Sequence, residues 1–213
     1  MQDLKSRHKL YIIALPLIIA YLIFFGACLN DPPRRIAPRA VKGVLDLSDW
    51  DFKNDGPVDL SGEWEFYWQQ HLVPQDFSAK TAGRETGFIE VPGYWKGYEL
   101  DGKKLPGYGY VTYRLNIVLN KQHEPMALRT VEIANAYTIF VNGQRVGSLG
   151  QAGKNRETTV PQQYPQILDF APKTNQMELI LHVSNFHHRR GGIWEVIQLG
   201  RESDMRKAQE KRL

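Results

Sequence analysis

The chain has a single cysteine, Cys28, among its 213 residues. That excludes an intramolecular disulfide framework and any cysteine-rich zinc site. A large excess of charge is also missing. The formal net charge is +4, and Lys5, Arg7 and Lys9 against Asp3 place half of it before residue 10. The remainder is nearly balanced, so no nucleic-acid partner is expected. There is no Gly-Xaa-Ser-Xaa-Gly elbow, no Walker loop, no His-Glu-Xaa-Xaa-His pair and no EF-hand loop. No internal repeat occurs, and no long amphipathic helix lies between residues 41 and 200. What is present is an ordinary globular composition, 42% hydrophobic, with enough apolar surface for a core without covalent staples.

Residues 10–29 read LYIIALPLIIAYLIFFGACL and hold no charge. Such a run is long enough to cross a hydrocarbon core of about 30 Å as a helix, and its Leu, Ile and Phe favour insertion. A basic start, an apolar middle and small residues at the end also fit a signal peptide. Phe25-Gly26-Ala27-Cys28 resembles a bacterial lipoprotein box, with Cys28 as the lipidation site. The competing reading is an uncleaved signal anchor in which Cys28 is a small apolar residue. Both attach the protein to a membrane. Flanking charge does not set the orientation, since Lys5, Arg7 and Lys9 face Arg34, Arg35, Arg39 and Lys42 across the run. The signal-like shape favours export, to a periplasmic or cell-surface location.

Four regions follow: a signal or anchor over 1–29, a tether rich in proline and arginine over 30–40, a folded domain over 41–200, and a charged helical tail over 201–213 with Ser203 as N-cap. In the domain, short apolar or alternating runs recur between Gly, Pro, Asn and Asp. Strands are predicted over 64–68, 88–91, 110–119, 136–141, 144–147, 176–183 and 193–199. From Thr112 the third of these alternates, with Tyr113, Leu115, Ile117 and Leu119 on one face. Asn142-Gly143 between two such runs predicts a tight hairpin. The fold class is all-β, a sandwich of jelly-roll type.

Two polar or aromatic clusters are candidate sites. One is Asn185, His187, His188, Arg189, Arg190 and Trp194 in the stretch 184–194. Arginine forks and imidazole donors suit an anion or a sugar. Adjacent histidines on an extended segment point apart, so no metal is expected there, and no cofactor. The alternative is a loop that packs on the sandwich, with Asn185 and the arginines tying its turns. The other cluster is Tyr94, Trp95 and Tyr108 in glycine-rich loops, where flat rings stack on sugar faces. Trp64, Phe66 and Trp68 are assigned to the core.

Leu60-Ser61-Gly62-Glu63-Trp64-Glu65-Phe66, Val91-Pro92-Gly93-Tyr94-Trp95, Tyr110-Val111-Thr112-Tyr113-Arg114, Ile139-Phe140-Val141-Asn142-Gly143 and Leu181-His182-Val183-Ser184-Asn185 follow one another in that order. The series resembles the galactose-binding-like jelly roll at the front of family 2 glycoside hydrolases. It is more similar still to the extracytoplasmic domains of bacterial seven-helix receptors with diverse intracellular signalling modules. The resemblance implies a sensor domain that takes a carbohydrate or similar small molecule and works with a membrane-bound signalling partner. The chain stops at Leu213, where such receptors enter their membrane helices, and nothing resembles the hydrolase barrel or its paired glutamates. Glu63 and Glu65 share a strand face without a cleft, so no enzyme is expected. Two alternatives remain, a structural or assembly lipoprotein that docks a protein partner and an accessory module of a glycoside hydrolase.

Overall fold

The computed structural model describes Tyr21 and residues 35–79, 87–120 and 124–211. The chain divides into a unit over residues 1–36 and a compact unit over 37–213. Cys28 and nearly all of the segment 1–29 lie outside the described residues. No helix among the described residues is long and apolar enough to cross a membrane.

The folded unit is mostly strand. In chain order these are β1 (Val44–Leu47), β2 (Val58–Asp59), β3 (Gly62–Trp68), β4 (Gly87–Val91), β5 (Gly93–Tyr94) and β6 (Glu99–Leu100). Next come β7 (Lys103–Lys104), β8 (Gly109–Leu119), β9 (Met126–Thr130), β10 (Ile133–Ala134) and β11 (Ala136–Val141). The last are β12 (Gln144–Leu149), β13 (Gln166–Phe170), β14 (Gln176–Asn185), β15 (Gly192–Ile193) and β16 (Gln198–Arg201). A large sheet runs β12-β11-β14-β8-β3-β4, with β1 added in parallel to the far half of β8. A second sheet runs β13-β9-β16-β2, and a small one joins β10, β15 and β5. All these pairings except β1 with β8 are antiparallel. The result is a β-sandwich.

The strand β8 explains why. Its residues 111, 113, 115, 117 and 119 are buried while 114, 116 and 118 are half-buried, the period-2 pattern of a sheet with one face on a core. On the same inner face β3 contributes Trp64, Phe66 and Trp68, and Tyr113 of β8 meets the first two edge-on at 6.4 and 5.4 Å between ring centres. Leu128 of β9, Leu168 of β13 and Leu199 of β16 close the same core from the second sheet. Tyr113 is so deeply enclosed that burial pushes its phenol far above the usual range.

Several local expectations hold. Asn142 and Gly143 turn the β11–β12 hairpin with φ of +46° and +82°, as a type I′ turn requires. Three details differ. The run 193–199 is not one strand: the amides of Trp194 and Glu195 both donate to the carbonyl of Glu132, which bends the chain away from β15 before β16 begins. The C-terminal helix spans Glu202–Glu210 with Arg201, not Ser203, at its N-cap, and it buries Met205 against Gly200. The chain enters the fold before residue 41, because Ala40 is buried and its amide donates to Ser61 O.

Phe66 touches Trp68, Tyr98 and Tyr113 and has no exposed surface. Phe66→Ala is expected to cost about 3–5 kcal/mol of unfolding free energy, read by urea denaturation.

Candidate functional site

The strand β14 ends at Asn185, a buried side chain with every hydrogen-bonding group engaged. Its Nδ2 donates to Gly107 O and to His188 O, both at 2.7 Å, and its Oδ1 accepts the His188 amide at 3.0 Å. The amide therefore fastens the 186–191 bend to itself and to the 105–109 segment. Trp95 completes the fastening. Its backbone amide donates to Gly191 O at 2.9 Å and its indole Nε1 to Gly107 O at 3.2 Å. Its ring lies against Gly191, where any Cβ would collide with it, and meets Trp68 edge-on at 5.7 Å.

Two predicted ligand contacts are thereby corrected. Trp95 and Asn185 have no exposed surface at all. A glycine-rich loop suggested an open tryptophan, yet the glycine at 191 lets that ring seal into the aromatic row of the core. Asn185 instead fulfils the alternative weighed for it, that of tying a turn.

The remaining residues separate into a group and outliers. Tyr94, 46% exposed, is held by the pairing of β5 with β15 opposite Gly192. The Arg190 guanidinium lies over its ring at 5.0 Å from the centroid. Trp194 meets Tyr94 edge-on at 6.1 Å, and His188 packs on Trp194 at 4.6 Å. The His188 Nδ1 is within 3.3 Å of the Arg190 amide and 3.1 Å of its carbonyl, so the imidazole braces the arginine backbone. The indole Nε1 of Trp194 is buried and has no acceptor among the described residues. His187 reaches away from this group, its Nε2 donating to Thr159 O at 3.2 Å. Tyr108 is 52% exposed beside the fastened Gly107, and Arg189 is exposed on the bend. Among the described residues neither Arg189 nor Arg190 has an acidic partner.

A second cluster escaped the sequence reading. His71 and His182 stack at 4.6 Å with planes 8° apart. The Nε2 of His182 donates to Leu72 O at 2.7 Å, and Ser184 Oγ donates to Gly153 O at 2.6 Å while lying 3.3 Å from His71 Nε2. Burial, with the neighbouring His182 and Lys154, lowers His71 to about 3. Burial also lowers His182, opposed by its bond to Leu72. Burial favours the neutral form of both rings, and Ser184 between them and Gly153 is fully buried. The signal in the sequence was a histidine inside the apolar run Leu181-His182-Val183.

Among the described residues no three His, Cys, Asp or Glu side chains converge to hold a metal. Two carboxylates on the outer face of the large sheet, Glu65 and Glu178, both bind Arg114, at 3.1 and 2.7 Å. A cavity of about 590 Å³ lies beside the β11–β12 hairpin, lined by Asn142, Arg145, Phe170 and Lys173 among others. It opens at the start of β14, the opposite end from Asn185, about 30 Å along the strand.

The neutral histidines make stability depend on pH. Unfolded, both titrate near 6.5; folded, both titrate lower. Between those values the unfolded chain binds more protons, so stability present at neutral pH is lost as pH falls below about 6.5, down to about 3 for His71. The expected slope is up to about 1.4 kcal/mol per pH unit for each ring. In urea unfolding between pH 7.5 and 5, His71→Phe is expected to flatten the acid limb relative to wild type.

No family model matches the chain, and no curated protein sequence matches it. Solved structures do. A β-glucuronidase from Ruminococcus gnavus in complex with D-glucaro-d-lactam aligns with TM-score 0.50 and 14% identity, over 67% of this chain and 28% of that one. The same enzyme with an N1-substituted uronic isofagomine gives 0.50 and 14%, over 67% and 29%. A GH2 β-galacturonidase from Eisenbergiella tayi gives 0.48 and 17%, over 68% and 24%. The chain thus spans less than a third of each of these enzymes, and what it shares with the aligned part of the Ruminococcus gnavus enzyme is an all-β fold.

Proposed function

We propose that this chain is a membrane-anchored, extracytoplasmic ligand-binding protein whose galactose-binding-like jelly roll takes a carbohydrate at the loop end bearing Tyr94, His188, Arg190 and Trp194. The observation that carries the reading is a half-exposed tyrosine, capped by a guanidinium and flanked by a tryptophan, on loops whose backbone is fixed from beneath by Trp95 and Asn185. Rings held rigidly at a surface bind sugar faces with little ordering cost. The fold shared with glycosidases supports a sugar ligand. The apolar run 10–29 and Cys28 support membrane attachment. Occupancy of the loop end would then be read by a membrane-bound signalling partner.

The full chain in mild detergent, screened by thermal shift and calorimetry against neutral and acidic saccharides, tests this. At least one sugar is expected to raise the melting temperature, with affinity falling tenfold or more in Tyr94→Ala. No shift with any sugar, together with stable co-purification of a membrane protein, would replace ligand sensing by docking. Protease added to intact spheroplasts is expected to digest the domain; complete protection would place it in the cytoplasm instead.

A further inference from the structure

We infer that the loop end takes an acidic saccharide, its carboxylate received by Arg190 and its ring packed on the exposed part of Tyr94 and Trp194; this rests on the carbohydrate reading above. The first ground is charge. Arg189 and Arg190 stand side by side on the bend with no acidic partner among the described residues; Arg39, Arg114, Arg201 and Arg206 pair with carboxylates, and Arg129, Arg145 and Arg156 bond to Gln198, Ser148 and Phe186 O. Arg156, donating to Phe186 O at 3.1 Å, and Lys154, near enough to bear on both buried histidines, add positive charge on the adjoining loop.

The second ground is pre-organisation. A guanidinium seated on an aromatic face has already lost much of its rotamer freedom, and Arg190 keeps an exposed side chain there. That planar fork matches a carboxylate with two parallel hydrogen bonds, which a neutral hydroxyl cannot reproduce. Its backbone is braced by His188 Nδ1. When Nδ1 accepts the Arg190 amide, the proton sits on Nε2, which is then a donor for a ligand oxygen.

The third ground is the neighbouring aromatic surface. A bare inorganic anion would use the cations and leave Tyr94 and Trp194 idle. A sugar ring with a carboxyl substituent uses both.

The full chain in mild detergent is titrated with trigalacturonate, with neutral galactotriose and with sulfate. Trigalacturonate is expected to bind at least tenfold tighter than galactotriose at low salt, and the gap is expected to shrink in about 0.5 M NaCl, where exposed charges are screened. Arg190→Gln should bring the acidic ligand to the affinity of the neutral one, and Arg189→Gln should reduce it less. Tyr94→Ala should weaken both. These side chains are exposed and the melting temperatures should not move. Equal affinity for the two sugars overturns the inference and leaves the carbohydrate reading intact. A preference that survives Arg190→Gln, or sulfate binding as tightly as trigalacturonate, also overturns it. Binding of neither sugar overturns the inference, and the carbohydrate reading falls with it when no saccharide of the wider screen binds.

Discussion

The burial of one indole ring governs how the loop end is built. Trp95 leaves β5 and turns inward, where its ring extends the row Trp64, Phe66 and Trp68 and lies flush on Gly191. Both of its N–H groups are tied to backbone carbonyls, at Gly191 and Gly107, on two different loops. A ring of this size, enclosed and fully satisfied, contributes several kilocalories per mole and leaves its partners few alternatives. Asn185 reaches the same Gly107 carbonyl from the other side. The two side chains convert what would be a pair of mobile surface loops into an extension of the sandwich.

That constraint divides labour among neighbouring residues. The atoms that hold the bend are backbone carbonyls and amides plus two buried side chains. The atoms that face solvent belong to Tyr94, Arg189, Arg190 and part of Trp194. Substitution of the exposed set therefore leaves the scaffold almost untouched, while substitution of the buried set destroys the placement of everything above it. The stacked His71 and His182 fit the same scheme. Kept neutral by burial, they pack like aromatic side chains on Phe140 and Tyr110 and hold the 70–72 segment to β14.

Much of the sandwich was legible because its information is local. The alternation of β8, the aromatic run of β3 and the Asn142-Gly143 turn each follow from side-chain period or from backbone angles that few residues accept. The pairing of β9 with β13 and β16 was not, because Met126–Thr130 and Gln166–Phe170 are short and only moderately apolar, and their partners lie far along the chain. The break after Ile193 was invisible for a related reason: it is made by the carbonyl of Glu132, 62 residues before Trp194. Of the site residues, Tyr94, His188, Arg190 and Trp194 are legible as polar and aromatic clusters in loop segments, and the structure brings them together. Trp95 and Asn185 were named beside them, and no local pattern could tell an open loop tryptophan from one sealed by a glycine 96 residues away.

The separation of holding atoms from facing atoms also bears on where a ligand would be sensed. The cavity at the β11–β12 hairpin holds about 590 Å³, but its walls are turn residues and side chains of mixed charge, with Asp169 already bound to Arg206 and Arg145 donating to Ser148. At the opposite end Arg189 and Arg190 have no acidic partner among the described residues, and the aromatic rings are already oriented. Affinity depends less on the volume of a recess than on how little must be reordered or desolvated when it is filled. By that measure the loop end, clamped from within by Trp95 and Asn185, is the better prepared of the two.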